Sequence, residues 1–427
     1  MDSELSLTAE ERAFLHGEAG EATRLAMRIL TRVAPFYGAT SLIPVTRAHI
    51  DGIVLEGHAG LAFAERLADL GARVRVPTSL NVGSLDRSDW RRHGMNPDYA
   101  DRAYRLGQAY VRMGAVPSFT CVPYQVLDPP AFGEQIAWSE SNAVAYANSV
   151  LGARTNRYGD YLDVCCAIAG RAPAAGLHLD EPRLATLQIN VGPLPSGLAE
   201  RADFWPVLGY LVGTLAGDRV PVVTGLEDAP RPDDDALKAM TAASATSGAV
   251  ALLHVVGHTP EAPTLAAALG SRRPVESRSV GVRDLRDARD ELSSADRDSP
   301  LDLVAFGSPH CSLRECRTLA SLMSGRRAAD GIDVYVTTSR AVRDLLARDG
   351  TLATLEAFGA IVTADTCIVV APLVRPEVRT LMTNSAKYAH YGPGILNVGA
   401  IFGSTEACVE SAVAGRIVHE EGPWASR

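Results

Sequence analysis

Apolar positions recur at helical spacing near the start of the chain. Thr8 and Glu11 have the spacing of a capping box, and an apolar face follows through Phe14, Leu25, Ala26, Ile29 and Leu30. A short strand is predicted at Ser41 to Val45. A helix over Leu61 to Leu70 leads into a strand at Arg73 to Val76, and Tyr99 to Met113 reads as a helix ended by Gly114. Residues 115–185 carry little periodicity and many Asn, Ser, Thr, Arg and Gly, a long irregular stretch of the sort that often carries function. Leu187 to Val191 then reads as a strand and Trp205 to Leu215 as a helix.

From about residue 245 the pattern becomes strand–turn–helix. Strands are predicted at Ala249 to Val256, Leu303 to Phe306, Val334 to Thr337 and Ala360 to Thr363. Helices are predicted near Arg314 to Met323, at Ser339 to Leu346, and from Gly403-Ser404-Thr405 through Ala414. Alternation of this kind predicts doubly wound α/β layers with parallel sheets, in which ligands sit beyond the carboxyl ends of strands. The segments Ser308–Cys311 and Asp365–Cys367 fall at such ends. Residues 226–244, rich in Pro and Asp, are the expected connector between an N-terminal region (1–225) and a C-terminal region (245–427). The charged segment 271–300 reads as a solvated helix with loops.

Bulk properties narrow the classes. A chain of 427 residues predicts two or three domains. A net charge of −9 leaves no basic footprint for nucleic acid. No apolar run reaches membrane-span length, and the acidic start Met1-Asp2-Ser3-Glu4 lacks a signal-peptide core, so a cytoplasmic protein is expected. The seven cysteines do not read as a disulfide framework; Cys165, Cys166 and Cys408 fall in apolar helical runs and read as core.

Lysine usage carries more information. Of 41 basic residues only Lys238 and Lys387 are lysine. Drift to arginine spares a lysine where a compact ammonium must fit a pocket or shift its pKa. Lys387 lies in Asn384-Ser385-Ala386-Lys387-Tyr388-Ala389-His390-Tyr391, dense in polar groups; Lys238 lies in an acidic stretch and reads as a solvated surface residue. P-loop, Gly-x-Gly-x-x-Gly, His-Glu-x-x-His and Cys-x-x-Cys motifs are absent. What remains are polar clusters: Ser79-Leu80-Asn81 after the predicted strand, Thr120-Cys121-Val122-Pro123-Tyr124, Trp138-Ser139-Glu140-Ser141, and Ala147-Asn148-Ser149-Val150-Leu151-Gly152-Ala153-Arg154-Thr155-Asn156-Arg157. In the last, Arg154 and Arg157 either grip an anion or tie loops together.

Taken in order with Ala48-His49-Ile50-Asp51-Gly52, Pro309-His310, Asp365-Thr366-Cys367, Asn384-Ser385-Ala386-Lys387 and Phe402-Gly403-Ser404-Thr405, these clusters resemble the catalytic large subunit of the aconitase X family. The resemblance implies an aconitase-like fold and a hydro-lyase acting on a small hydroxy acid, cis-3-hydroxy-L-proline-like or mevalonate 5-phosphate. It implies a swivel domain, absent from this chain and supplied by a separate small subunit whose serine acts as base, giving a heterodimer. Catalytic roles would fall to Lys387, His310, Ser385 and Glu140. Substrate contacts would fall to Asn81, Ser139, Asn148, Arg154, Arg157 and Asn384. An iron–sulfur cluster or mononuclear iron would be held by Cys121, Cys367 and a third cysteine. Ser308 stands where that third cysteine is expected; Cys311, three residues on, is the substitute. Serine is a poor ligand for such iron, so a cluster, a single iron and no metal all stay open. A cluster-free lyase or isomerase of specialised metabolism on the same scaffold is the alternative function.

Overall fold

The computed structural model describes residues 5–420 and Trp424. Met1-Asp2-Ser3-Glu4 lie outside the described residues. The chain divides into two units, 1–184 and 185–427.

The first unit begins with α1 (Ala9–His16) and α2 (Glu21–Val33). The Thr8/Glu11 capping box forms as expected, but Gly17 in the left-handed region ends α1, so one expected helix becomes two. Strand β1 (Leu42–Pro44) comes next, followed by β2 (Ala48–Ile50), α3 (Ala59–Asp69), β3 (Thr78–Leu80) and α4 (Pro97–Arg112). Arg73 to Val76, expected as a strand, instead runs irregularly, with Val74 and Arg75 amides donating to Met113 and Ala167. The extended segment begins two residues later, where β3 pairs with β2. The aperiodic stretch contains α5 (Pro123–Val126), β4 (Ala137–Trp138), α6 (Ser141–Tyr146), the wholly buried α7 (Leu162–Ala169) and β5 (Arg171–Pro173). Strand β5 pairs antiparallel with β1, and β3-β2-β4 form a parallel sheet with β2 in the middle.

The second unit holds two parallel sheets. The first is built from β6 (Leu187–Val191), α8 (Phe204–Ala216), β7 (Pro221–Thr224), α9 (Asp234–Ser247), β8 (His254–Val255), α10 (Leu265–Leu269), β9 (Glu276–Val280) and α11 (Val282–Glu291), with strand order β8-β7-β6-β9. The second follows from β10 (Leu303–Cys311), α12 (Leu313–Met323), β11 (Asp333–Thr338), α13 (Arg340–Asp349), α14 (Thr351–Phe358), β12 (Ala360–Ala364), β13 (Thr380–Thr383), α15 (Ala386–Tyr391), β14 (Gly399–Phe402) and α16 (Thr405–Ala414). Its order is β12-β11-β10-β13-β14. One core joins Ile189 and Val223 of the first sheet, Val207 and Met240 of α8 and α9, and Ala400 and Phe402 of β14. Each fully buried aliphatic there contributes about 1.5–3 kcal/mol. Helices α8 and α9 lie close because Gly209 faces the Met240 backbone, where a Cβ would collide.

Three expectations change here. The unit boundary lies at Leu184/Ala185, not at 226–244: Asp233 caps α9 through the Ala236 amide, so much of the expected connector is helix. Segment 271–300 contains β9, whose alternation was masked by its exposed polar residues. Lys238 is 1% exposed, not a surface residue. Helix α9 turns it inward, and its charge is met by Asp235 at 3.1 Å and by Glu315, with its ammonium also donating to the His310 carbonyl at 3.3 Å.

Candidate active site

In the first unit β2 leads to β3 on one side and to β4 on the other, so the carboxyl end of β2 is a topological switch point. Asp51 follows β2, Asn81 follows β3, and Ser139 and Glu140 follow β4. The Asn81 amide donates to Asp51 Oδ1, and the Asp51 amide donates to Asp163 Oδ2 at 2.7 Å. Glu140 is 4% exposed and caps α6, accepting from the Ala143 amide at 2.6 Å. Cys121 is buried, its carbonyl accepting from Asn142 at 2.9 Å.

Charge in this cluster is poorly solvated. Burial raises the Asp163 carboxyl to about 6 against the pull of its backbone donors. Burial raises Asp51 well above the carboxylate range, reinforced by Glu140, Asp160 and Asp163. Burial lowers His49 to about 4, so it is neutral, its Nδ1 2.8 Å from Ser79 Oγ. His49 Nε2, Asn81 Oδ1 and Trp138 Nε1 are buried without hydrogen-bond partners, and nothing donates to the buried Ser139 Oγ, which is turned to Asp163. Orphans of this kind mark a site that a ligand or water completes.

The arginine-rich string behaves differently. The Asn148 side chain clamps Thr155 from both sides, donating to its carbonyl at 2.8 Å and accepting from its amide at 3.0 Å. Arg183 donates to the same Asn148 oxygen at 3.1 Å. Arg154 pairs with Asp180 and donates to the His178 carbonyl at 3.3 Å. Arg157 is exposed. The loop-tying alternative describes Asn148 and Arg154.

In the second unit a cavity of about 480 Å³ is lined by Ser308 and Cys311 at the end of β10, by Asn384, Ser385 and Lys387 at the start of α15, and by Lys238. Strand β10 bulges between Phe306 and Cys311. Gly307, at φ +100°, permits the bend, because a Cβ would strike the Thr337 carbonyl. Ser385 caps α15 through the Tyr388 amide at 3.1 Å and donates to the Ser308 carbonyl, joining β10 to the Lys387 helix. Asn384 donates to Thr405 Oγ1 at 2.9 Å. A single π-helical turn follows both α6 and α15; such turns are frequent at functional sites. His310 is fully buried with Nε2 3.0 Å from the Thr366 carbonyl, and it does not line the cavity.

Burial raises the Cys367 thiol, opposed by the Val369 and Val370 amides, by Lys387 and by the Tyr388 hydroxyl. Burial wins, so the protonated thiol is favoured there. Cys311 does not share these surroundings: its thiol is hydrogen-bonded to that of Cys316, and this contact and burial push it well up. Among the described residues no three His, Cys, Asp or Glu side chains gather into a metal-ligating group. With Ser308 in place of a cysteine, the donors present do not fit a three-cysteine iron site.

Asp51 and Asp163 were missed in the sequence. Asp51 follows a predictable strand only if Ala48–Ile50 is recognised, and three residues are too few for periodicity. Asp163 left a usable signal, a lone acid inside the apolar run Leu162–Ala169.

Residues 4–181 match the aconitase X first domain, 185–290 the second and 301–414 the third. A cis-3-hydroxy-L-proline dehydratase of Pseudomonas aeruginosa is 52% identical over 96% of this chain and 70% of its own length. One from Hypocrea jecorina is 46% identical, over 96% and 69%. The phosphomevalonate dehydratase large subunit of Methanothermobacter thermautotrophicus is 40% identical, over 92% of this chain and 95% of its own. The crystal structure of Thermococcus kodakaraensis aconitase X in its holo-form superposes with a TM-score of 0.84 over 96% of this chain and 100% of that one, at 34% identity. The chain belongs to the aconitase X family.

Proposed function

We propose that this chain is a hydro-lyase that removes water from a small β-hydroxy acid, cis-3-hydroxy-L-proline or a close analogue. The observation that carries the reading is Lys387, set by a serine-capped helix on the wall of the cavity beside Asn384, Ser385 and Ser308. Loss of the proton α to a carboxylate drives charge onto the carboxylate oxygens. An ammonium held beside those oxygens binds the charge more strongly as it develops, which lowers the barrier. Ser385 spends its hydroxyl on the α15 cap and on Ser308, so its role is to position Lys387. Similarity to two cis-3-hydroxy-L-proline dehydratases supports the substrate.

The base is assigned to a separate small subunit. Relatives covered along almost their whole length are named large subunits, which supports this assembly. No step is routed through iron, because the donors here do not fit it. Ser308 also favours a second reading, a cluster-free lyase or isomerase of specialised metabolism on the same scaffold. The test supplies the chain, with and without its co-expressed small subunit, with cis-3-hydroxy-L-proline or mevalonate 5-phosphate and follows loss of the hydroxyl. Turnover of the hydroxyproline supports the proposal; turnover of the phosphate ester alone, or of neither, overturns it.

A further inference from the structure

We infer that the carboxyl ends of β2, β3 and β4 form a subsite for a protonated amine, with Asp51 as the carboxylate facing it and Asn81 and Ser139 as its hydrogen-bond acceptors. The inference rests on the hydro-lyase reading and narrows it to hydroxy acids that carry a cationic nitrogen.

Two orphaned atoms point to a donor ligand. Asn81 is 3% exposed; its amide N–H donates to Asp51, which leaves its oxygen beside that carboxyl accepting nothing. Ser139 is 3% exposed; its hydroxyl is turned to the Asp163 carboxyl, whose charge it stabilises, and nothing donates to its oxygen. Acceptors without donors are completed by N–H groups, and the surrounding charge selects a positive one. Glu140, Asp160 and Asp163 all act on Asp51, and all are acidic. Among the described residues, the other titratable groups that act on these acids are not cationic. Tyr110 and Tyr161 lie near Asp163, Glu56 lies near Asp160, and His49 is neutral. Glu140 is spent capping α6, and Asp163 accepts from the Asp51 and Val164 amides. Glu140 and Asp163 are buried and Asp160 is exposed; Asp51 is partly exposed and is the carboxyl that Asn81 touches, so it is the one a ligand at Asn81 reaches.

A metal ion is the other cation such a place invites, but these carboxyls do not gather into a metal-ligating set among the described residues. An amine matches them better, because its N–H bonds diverge toward separate acceptors. A phosphate ester would be repelled. Burial and neighbouring acids hold both Asp163 and Asp51 above the ordinary carboxylate range, so these carboxyls carry protons that an ammonium displaces. Binding therefore releases protons, and affinity rises with pH above the ordinary carboxylate range.

The test uses the full chain with whatever subunit co-purifies. Titration calorimetry compares L-proline with tetrahydrofuran-2-carboxylate, in which oxygen replaces the ring nitrogen, in phosphate and in Tris. L-proline should bind roughly 10- to 100-fold more tightly, the range expected for hydrogen bonds to a charged donor, with proton release. Asp51→Asn should erase both the preference and the proton release. Ser139→Ala, which leaves the acid cluster intact, should lower the preference severalfold. Equal affinities, no binding of L-proline to folded protein, a preference unchanged in both variants, or displacement of L-proline by calcium ion would each overturn the inference. Turnover of cis-3-hydroxy-L-proline is measured separately. Turnover without amine preference defeats this inference alone, and amine preference without turnover defeats the hydro-lyase reading alone.

Discussion

Replacing Lys238 by methionine removes a buried charge and keeps an unbranched chain of similar length. The ammonium lies 3.1 Å from Asp235, an attraction of about 5 kcal/mol at an effective dielectric near 20. Desolvating the lysine cancels much of that gain, so the measurable loss comes from the carboxylates left behind. Asp235, with its side chain 12% exposed, keeps Arg314 at 2.9 Å, and Glu315, at 34%, can rehydrate. Both compensations place the expected cost near the lower end of the range for a broken buried pair, about 3 kcal/mol. A second line agrees. Burial alone would raise Asp235, but Lys238 and Arg314 outweigh it and hold the carboxyl at about 2, below its ordinary 3.8. That displacement corresponds to about 2.5 kcal/mol shared among Lys238, Arg314 and the Ser312 hydroxyl. Because the folded value is depressed, the stabilisation is present above pH 4 and is lost as pH falls toward 2. Denaturant unfolding of wild type and Lys238→Met at pH 7 should differ by about 3 kcal/mol, and the gap should close between pH 4 and 2. A difference below about 1 kcal/mol at pH 7, the worth of an exposed pair, would refute the reasoning. So would a gap that ignores pH.

Three further outcomes follow from the same geometry. Lys387→Arg should lower kcat at least about 100-fold while the melting temperature moves little, since the longer planar guanidinium cannot occupy the place of a compact ammonium; thermal scans run beside steady-state kinetics check this. Cys311→Ser should leave iron and acid-labile sulfide per chain, measured on protein purified without oxygen, equal to wild type, because Cys311 is engaged with Cys316; a drop confined to this variant would restore Cys311 as a ligand. Asn148→Ala should cost about 2 kcal/mol in unfolding experiments by freeing Thr155 and Arg183, and it should leave KM within about twofold.

Much of the second unit was legible because its strands alternate with helices long enough to show a period. Val334–Thr337 and Ala360–Thr363 emerged as β11 and β12, and Ser404 caps the last helix as its position suggested. The β10 bulge was not legible, because Gly307-Ser308-Pro309 reads as a turn and only pairing with β11 shows that the strand resumes at Cys311. Lys238 was misplaced for a related reason. Local acidity looks like solvation, yet Asp235 and Glu315, one of them distant in sequence, are what make the lysine's burial tolerable. The scarcity of lysine flagged both Lys238 and Lys387, and both line the cavity. In the first unit, strands of two or three residues hid the switch point, so Asn81, Ser139 and Glu140 were named through resemblance, while the place of Asp51 and Asp163 beside them needed the fold.

The most direct test of the central claim follows cis-3-hydroxy-L-proline deuterated at its α-carbon by NMR, with the chain and the proposed small subunit present. Elimination across the α- and β-carbons predicts loss of the hydroxyl and of the deuteron together, with slower turnover than the protiated substrate. Consumption that retains the α-deuteron, or no consumption by folded and paired protein, would contradict it.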